Sequence, residues 1–184
     1  SKGVSLNQVV FQGTLNQNIV DLNASSISME HGDLMGFLNS PNQLNTLVVQ
    51  DPDLELKFRE RPPEKDQQEK QNVRSFVIKE VRVNNGNLQL ENSDYAKGID
   101  LVLTDFRLGK ENSEKLLNSE NVILKVRNTG YKLPDQYFEV STGEINFNSS
   151  TRSGSVLNLR FIPQLSRDEY GPAIGKQTDW MQII

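Results

Sequence analysis

The 184-residue chain has the length of a single domain and is long enough to bury a core. It carries a net charge of −4, no cysteine and one histidine, His31. These features exclude disulfides, cysteine nucleophiles and thiolate metal sites, argue against His-based triads, and provide no basic field for binding nucleic acid. Asn and Gln, 32 residues together, favour a folded protein with a polar surface over a charge-rich disordered chain.

The first part of the chain, residues 1–58, predicts strands and one short helix. Leu34, Phe37 and Leu38 share one face of that helix, and Asp33 is suited to cap its N-terminus. A lone histidine directly before such a helix is typical of a surface or capping residue, so we assign His31 no catalytic or metal-binding role.

Residues 59–72 read RERPPEKDQQEKQN, with eight charged residues in fourteen and no apolar periodicity. This composition predicts a solvated loop between a first part, 1–58, and a second part, 73–184. The chain ends on an apolar run, Trp180–Ile184. We therefore expect either a single β-rich domain over 1–184 or a fragment of a longer repeat protein.

The second part opens with the clearest turn signal in the chain. Val81 and Val83 precede Asn84-Asn85-Gly86-Asn87, and Leu88 and Leu90 follow it. Asn-Gly between alternating apolar residues predicts two short strands joined by a tight hairpin turn.

Alternation with period two then continues as far as Phe161. Phe106 is out of phase with Leu101 and Leu103, which predicts a bulge near Thr104–Asp105. Strands recur about every 10–14 residues between turn signals at 93–94, 109–110, 128–130 and 149–154, as in an antiparallel meander. Further short helices are predicted at 113–117 and at Ser166-Arg167-Asp168-Glu169, which has the pattern of a capping box.

Two pairs of segments suggest an internal repeat. Leu47–Leu56 aligns without gaps to Val81–Leu90, each with a polar turn pair, Asp-Pro or Asn-Gly, at its centre. A looser pair matches the spacing of Leu22, Ile27 and Met29 to that of Val140, Ile145 and Phe147. Repeats of this kind build elongated sheets with one shared apolar face.

The predicted sheet is apolar on one face and polar on the other, and the predicted helices are too small to cover the apolar face. That face either forms a dry core or lines an apolar groove. The residues predicted to line it are Val81, Val83, Leu88, Leu90, Leu101, Leu103, Leu124 and Val126.

No nucleophile elbow, phosphate loop, dinucleotide motif or calcium loop is present in the sequence, so we expect a non-enzymatic protein without cofactor or metal. A second hypothesis is a cell-envelope β-sandwich that binds glycan or protein through surface loops. Tyr131 and Tyr137 would then be exposed, whereas Phe138 and Phe147 fit inward strand positions.

The repeated strand pattern resembles a known family. Val81–Gly109 is similar to the repeat of the AsmA-like proteins of Gram-negative bacteria. Tyr131–Ser150 and Asn158–Ile183 resemble a block that recurs in large AsmA-like proteins of the Bacteroidetes. The resemblance covers roughly Leu15 to Ile184, and its most distinctive stretch is Phe161–Trp180.

The resemblance implies a long periplasmic β-rich body with an inner-membrane anchor outside this sequence, serving outer-membrane assembly or lipid transport between membranes. Phospholipid acyl chains, or strands of outer-membrane proteins, are the implied partners. The predicted fold is thus mostly β: an extended, curved antiparallel sheet of repeated hairpins with a few short helices.

Overall fold

The computed structural model describes residues 2–15, 18–31, 43–58, 76–91, 94–108, 117–133, 137–166 and 168–169. These residues form thirteen β-strands that all belong to one sheet, so the mostly β fold expected from the sequence is confirmed. The predicted charged loop at 59–72, the predicted helix at Asp33–Leu38 and the side chain of His31 lie outside the described residues.

The strands are numbered in chain order. Their bounds are β1 Lys2–Leu15, β2 Asn18–His31, β3 Gln43–Gln50, β4 Asp53–Lys57, β5 Phe76–Leu90, β6 Tyr95–Leu108, β7 Leu117–Asn118, β8 Asn121–Val126, β9 Thr129–Lys132, β10 Phe138–Thr142, β11 Glu144–Asn148, β12 Ser153–Leu157 and β13 Arg160–Pro163.

Several consecutive strands are collinear. β3 and β4 both lie between β2 and β5 in one unbroken register, and β7, β8 and β9 follow one another along β6. β10 continues into β11, and β12 into β13, in the same way. The thirteen strands therefore form eight ribbons, in the order β1, β2, β3–β4, β5, β6, β7–β9, β10–β11, β12–β13.

One junction between ribbons is parallel, which corrects the expectation of a purely antiparallel sheet. β3–β4 runs parallel to β5, whereas every other neighbouring pair is antiparallel. The end of β4 and the start of β5 therefore lie at opposite ends of the sheet, and no hairpin can join them. Sequence alternation does not distinguish these cases, because both kinds of strand place side chains with period two.

The Asn-Gly hairpin prediction is wrong. β5 passes straight through Asn84-Asn85-Gly86-Asn87, with Asn85 at a φ of 54° and register shifts against β6 on either side of Gly86. Asn tolerates the left-handed conformation in a bulge as well as in a turn. Pairing with β3–β4 on one side and β6 on the other keeps both halves of the strand in line.

At some of the other turn signals the chain continues in the same direction, and at others it reverses. Asp51-Pro52 and Asn128 interrupt ribbons without reversing them. The chain does reverse where the sequence also predicted turns, between β5 and β6, where Asp94 accepts a hydrogen bond from Leu90 N, and between β11 and β12. The bulge predicted near Thr104–Asp105 is absent, because the register of β6 against β5 is the same before and after this point; Asp105 is instead left-handed, with φ 49°.

The interruptions fall at nearly the same level in successive ribbons and form a transverse line that we call the crease. Residues with positive φ mark it in six of the eight ribbons, and they are Gln8, Asp51, Asn85, Gly98, Asn128 and Asn158. Gly143 occupies the equivalent gap between β10 and β11.

The internal repeat is real and lies side by side in the sheet. The alignment of Leu47–Leu56 with Val81–Leu90 reproduces the parallel register of β3–β4 against β5. The aligned apolar residues are direct neighbours, pairing as Leu47 with Val81, Val49 with Val83, Leu54 with Leu88 and Leu56 with Leu90. The two copies are single ribbons, however, and not the hairpins that the sequence suggested.

Burial is modest throughout the described residues. One cluster, Leu44, Ile78 and Val81, is more than nine-tenths buried and packs against Met29, Leu47, Leu103 and Phe106. No described side chain is completely buried. A single sheet with one apolar face, rather than two stacked layers, accounts for this pattern.

Helical structure is limited to one turn in the described part of the chain. Residues 168–169 are helical, and the Glu169 carboxylate accepts hydrogen bonds from Ser166 N (3.0 Å) and Ser166 Oγ (2.7 Å). These bonds hold the pKa of Glu169 below its ordinary value and confirm half of the predicted capping box. Among the described residues, no helix has the length and hydropathy to span a bilayer.

Candidate functional site

The candidate site is a continuous apolar face built from cross-strand rows. One row crosses seven ribbons from β1 to β10–β11, because residues that pair directly share a face. Its members are Leu6, Ile27, Val49, Val83, Leu101, Leu124 and Phe147. The next row lies one step further from the crease. Its members are Val4, Met29, Leu47, Val81, Leu103 and Val122.

The face continues on the other side of the crease. A third row runs through Phe11, Leu22, Leu54 and Leu88, and a fourth contains Val20, Leu56 and Leu90. Val83 and Leu88 are five residues apart, so strict alternation would place them on opposite faces. The left-handed Asn85 shifts the phase and returns Leu88 to the apolar face.

Gly86 shows that the two halves share this face. A Cβ on Gly86 would lie 3.1 Å from Val83 Cγ1 and 3.1 Å from Pro52 Cγ, so its side-chain position points to the same side as Val83. Leu88 follows two residues later in the same strand and therefore also faces that side. The absence of a side chain at Gly86 lets the apolar face pass across the crease without a clash.

Seven of the eight residues that the sequence predicted for the face belong to these rows, and Val126, two residues after Leu124 in β8, points to the same side. Val81 and Val126 are buried, and Val83, Leu88, Leu90, Leu101, Leu103 and Leu124 are half-buried. The row structure therefore joins them into one surface.

The apolar face reaches both outer ribbons, where it is exposed. Val4 is 59% exposed on β1, and Val156 is 52% exposed on β12. Phe147 corrects an expectation, because it lies on the apolar face but is 43% exposed rather than a core residue. Its neighbour in the row on β12 is Gly154, which has no side chain to cover the ring.

The opposite face is mostly polar and holds the charged pairs, although Val48, Val102 and Ile123 also lie on it. Arg82 Nε lies 2.7 Å from Glu80 Oε1, and Lys125 Nζ lies 2.9 Å from Glu144 Oε2. Hydrogen bonds from Asn146 and Lys125 lower the pKa of the Glu144 carboxyl. Ion pairs between side chains as exposed as these each contribute little to the stability of the protein.

Two cavities of about 540 Å³ are lined mainly by this polar face. One contains Asp21, Asp53, Glu55 and Lys97 among its lining residues, and the other contains Glu139 and Arg160 among its own. Within the described residues, no group of three or more acidic or histidine side chains is placed to hold a metal ion.

A chain of polar contacts runs along the crease across five ribbons, and we call it the polar ladder. Asp51 accepts hydrogen bonds from Ser25 Oγ and Asn85 Nδ2, each at 2.8 Å. Asp100 accepts one from Asn85 N at 2.9 Å and forms an ion pair with Arg127. No motif in the sequence indicates the ladder, although Asp51 and Asn85 occupy equivalent places in the repeat.

Replacing Asp51 with Asn is expected to lower the melting temperature at pH 7, because the two donors reach different carboxylate oxygens and one of these becomes an NH2 group, which cannot accept. The two hydrogen bonds hold the pKa of Asp51 below its ordinary value. The stability that they provide is therefore present above the unfolded pKa, about 3.9, and is lost as the pH falls through the lower folded value.

Thermal melts of Asp51→Asn and of the wild type across this range test the prediction. The difference between them should shrink at acidic pH, where the wild-type carboxyl is protonated. Asp53→Asn is the matched control, since Asp53 is an exposed aspartate two residues away, at the start of β4, and is not one of the ladder residues. An equal loss in both variants would contradict a specific role for the ladder.

The two tyrosines of the glycan hypothesis are placed differently. Tyr131 is 49% exposed on β9 and shares a row with Val140 and Phe161. Tyr137 precedes β10 and is half-buried. Tyr131 therefore extends the apolar face instead of standing in a separate surface loop.

Comparison of the sequence with protein-family models and with curated proteins found no match.

Proposed function

We propose that this chain is a non-enzymatic periplasmic segment of an AsmA-like envelope protein, and that its apolar face shields phospholipid acyl chains. The observation that carries the proposal is the unbroken apolar face, which crosses the crease and stays exposed on both outer ribbons. Periplasmic location and an inner-membrane anchor outside this sequence rest on the family resemblance of its repeats.

The dimensions of the face suit such a ligand. Eight ribbons spaced about 4.8 Å apart give a width of about 34 Å. One leaflet of a bilayer core is about 15 Å thick, so an extended acyl chain is much shorter than the face is wide. Burial of hydrocarbon is non-directional and roughly proportional to area, and a surface without convergent polar groups is therefore sufficient for this role.

The second candidate, a cell-envelope protein that binds glycan or protein, is favoured by the exposure of Tyr131. That hypothesis predicts a closed core between two sheets, whereas every described strand belongs to one sheet. This difference places the acyl-chain hypothesis first.

Native mass spectrometry after mild purification from a Gram-negative host tests the leading proposal. We expect phospholipid to accompany the wild type in near-stoichiometric amounts. Leu101→Asp should abolish it, because Leu101 lies centrally in the longest row of the apolar face. Val102→Asp is the matched control, since Val102 is also half-buried but points to the opposite face.

Circular dichroism establishes that both variants retain their β structure. Absence of phospholipid from the wild type, together with a cooperative melt, would show that the apolar face is sealed and would refute the proposal. Loss of lipid in both variants would refute a role specific to the apolar face.

A further inference from the structure

Both outer ribbons of the described sheet present an open edge. β1 pairs with β2 on one side, and β12–β13 pairs with β10–β11 on one side. Each edge carries four large apolar residues that are between about a third and two-thirds exposed. They are Val4, Leu6, Val10 and Phe11 on β1, and Val156, Leu157, Leu159 and Ile162 on β12–β13.

β1 lacks the devices that normally protect an edge. From Gly3 to Leu15 it has no charged residue and no proline over a strand of fourteen residues. Long, uncharged edges with unpaired N–H and C=O groups are templates for another strand. An extended polypeptide is therefore the kind of partner that this edge is suited to bind.

The relative direction of the two edges follows from the sheet. Six antiparallel junctions and one parallel junction separate β1 from β12, so the two strands run in the same direction. If one copy continues the sheet of another in the same orientation, β1 meets β12–β13 in parallel. The chain already contains such a junction, between β3–β4 and β5, with crease residues Asp51 and Asn85 at the same level.

The crease also specifies the register of the new junction. Both edges carry a left-handed residue there, Gln8 in β1 (φ 53°) and Asn158 between β12 and β13 (φ 55°). When these two are aligned, Leu6 lies beside Val156, and Phe11 lies beside Phe161. Each pair belongs to the apolar face on its own side of the crease, so burial and backbone pairing favour the same register.

We propose that the β1 edge binds the β12–β13 edge of a second copy of this chain, in parallel, with Gln8 beside Asn158. The contact is heterologous, and its repetition produces an open-ended row of copies whose apolar faces are continuous. Leu6 and Phe11 also belong to rows of the apolar face, so this interface lies at the edge of the proposed lipid-binding surface.

Sedimentation over a range of protein concentrations, with two edge variants, tests this proposal. The wild type should assemble progressively as concentration rises. Leu6→Lys and Val156→Lys each place a charge at one edge and should weaken self-association about tenfold or more, so each alone remains monomeric where the wild type assembles. Phe11→Lys is a second variant of the β1 edge.

Mixing the variants distinguishes this contact from a symmetric one. Leu6→Lys keeps an intact β12–β13 edge and Val156→Lys keeps an intact β1 edge, so the mixture should form a heterodimer that grows no further. Ile123→Lys is the control, because Ile123 is 46% exposed but lies on a central ribbon, and it should assemble like the wild type.

Three results would overturn the proposal. They are a wild type that stays monomeric at all concentrations, a Val156→Lys variant that still dimerises through β1 alone, and variants that fail to complement each other although circular dichroism shows both to be folded. Lipid content of the wild type and of Ile123→Lys, measured on the same samples, reports separately on the proposed function, because Ile123 lies on the opposite face.

Discussion

Replacing Ile78 with Ala is expected to destabilise the protein by about 3 kcal/mol, within the usual range for truncation of a buried aliphatic side chain. Ile78 is 5% exposed and belongs to the cluster with Leu44 and Val81 that joins β3 to β5 across the parallel junction. Because few described residues are so well buried, this cluster carries a large share of the hydrophobic stabilisation of the sheet.

Urea denaturation measures the effect, which should also appear as a decrease of about 6–12 °C in melting temperature. Ile123→Ala is the matched control, because it removes the same atoms from a side chain that is 46% exposed, and we expect a loss below about 1 kcal/mol. Similar losses of stability in the two variants would show that the buried Ile78 contributes no more to stability than the exposed Ile123.

Replacing Gly130 with Ala should destabilise the protein by about 2 kcal/mol, as expected for overpacking against an ordered ring. A Cβ at this position would clash with Cε1 of Tyr95, and it would lie 2.8 Å from Cζ of the same ring and 2.9 Å from Oε1 of Glu139. Gly130 and Tyr95 pair directly between β9 and β6, and Lys97 Nζ lies 5.2 Å from the centre of the same ring. The ring occupies the space above the glycine and has to move if a methyl group is added.

Gly154→Ala is the control, and here we expect the free energy of unfolding to rise instead of fall. A Cβ at Gly154 would be 3.5 Å from the carbonyl oxygen of Asn146 and 3.9 Å from Cδ2 of Phe147, which are ordinary contacts. Alanine there reduces the conformational freedom of the unfolded chain and should stabilise by about 0.4–1 kcal/mol. Equal shifts in the two urea midpoints would contradict the steric explanation. Tyr95→Ala combined with Gly130→Ala should lose less than the sum of the two single variants.

The polar ladder explains why the turn signals of this sequence are ambiguous. Asn85 adopts the left-handed conformation that Asn-Gly turns require, but its side chain bonds to Asp51 and its N–H bonds to Asp100 on the ribbons either side. A hairpin at this position would leave Asp51 without that partner. Local preference therefore allowed two structures, and pairing with neighbouring ribbons selected one of them.

No local pattern in the sequence predicts the order of the ribbons in the sheet. Residues 47–56 and 81–90 were recognisable as copies because they repeat the same apolar spacing and a polar pair. Their contact and their parallel direction depend on further pairing. The first copy also pairs with β2, and the second also pairs with β6. Sequence alternation is identical for a parallel and an antiparallel neighbour, so this information is absent from the pattern.

By itself, the sequence determined the mostly β class and the repeat, because alternation of apolar residues and its recurrence can be read from the order of the residues. It also identified the apolar residues of each strand segment, but Val83 and Leu88 share a face only because Asn85 adopts a left-handed conformation. The tertiary structure decided the parallel junction, the crease and the exposure of Phe147 beside Gly154. These features depend on which strand lies next to which, and the contacts between ribbons select one arrangement from several that the local preferences of the chain allow equally.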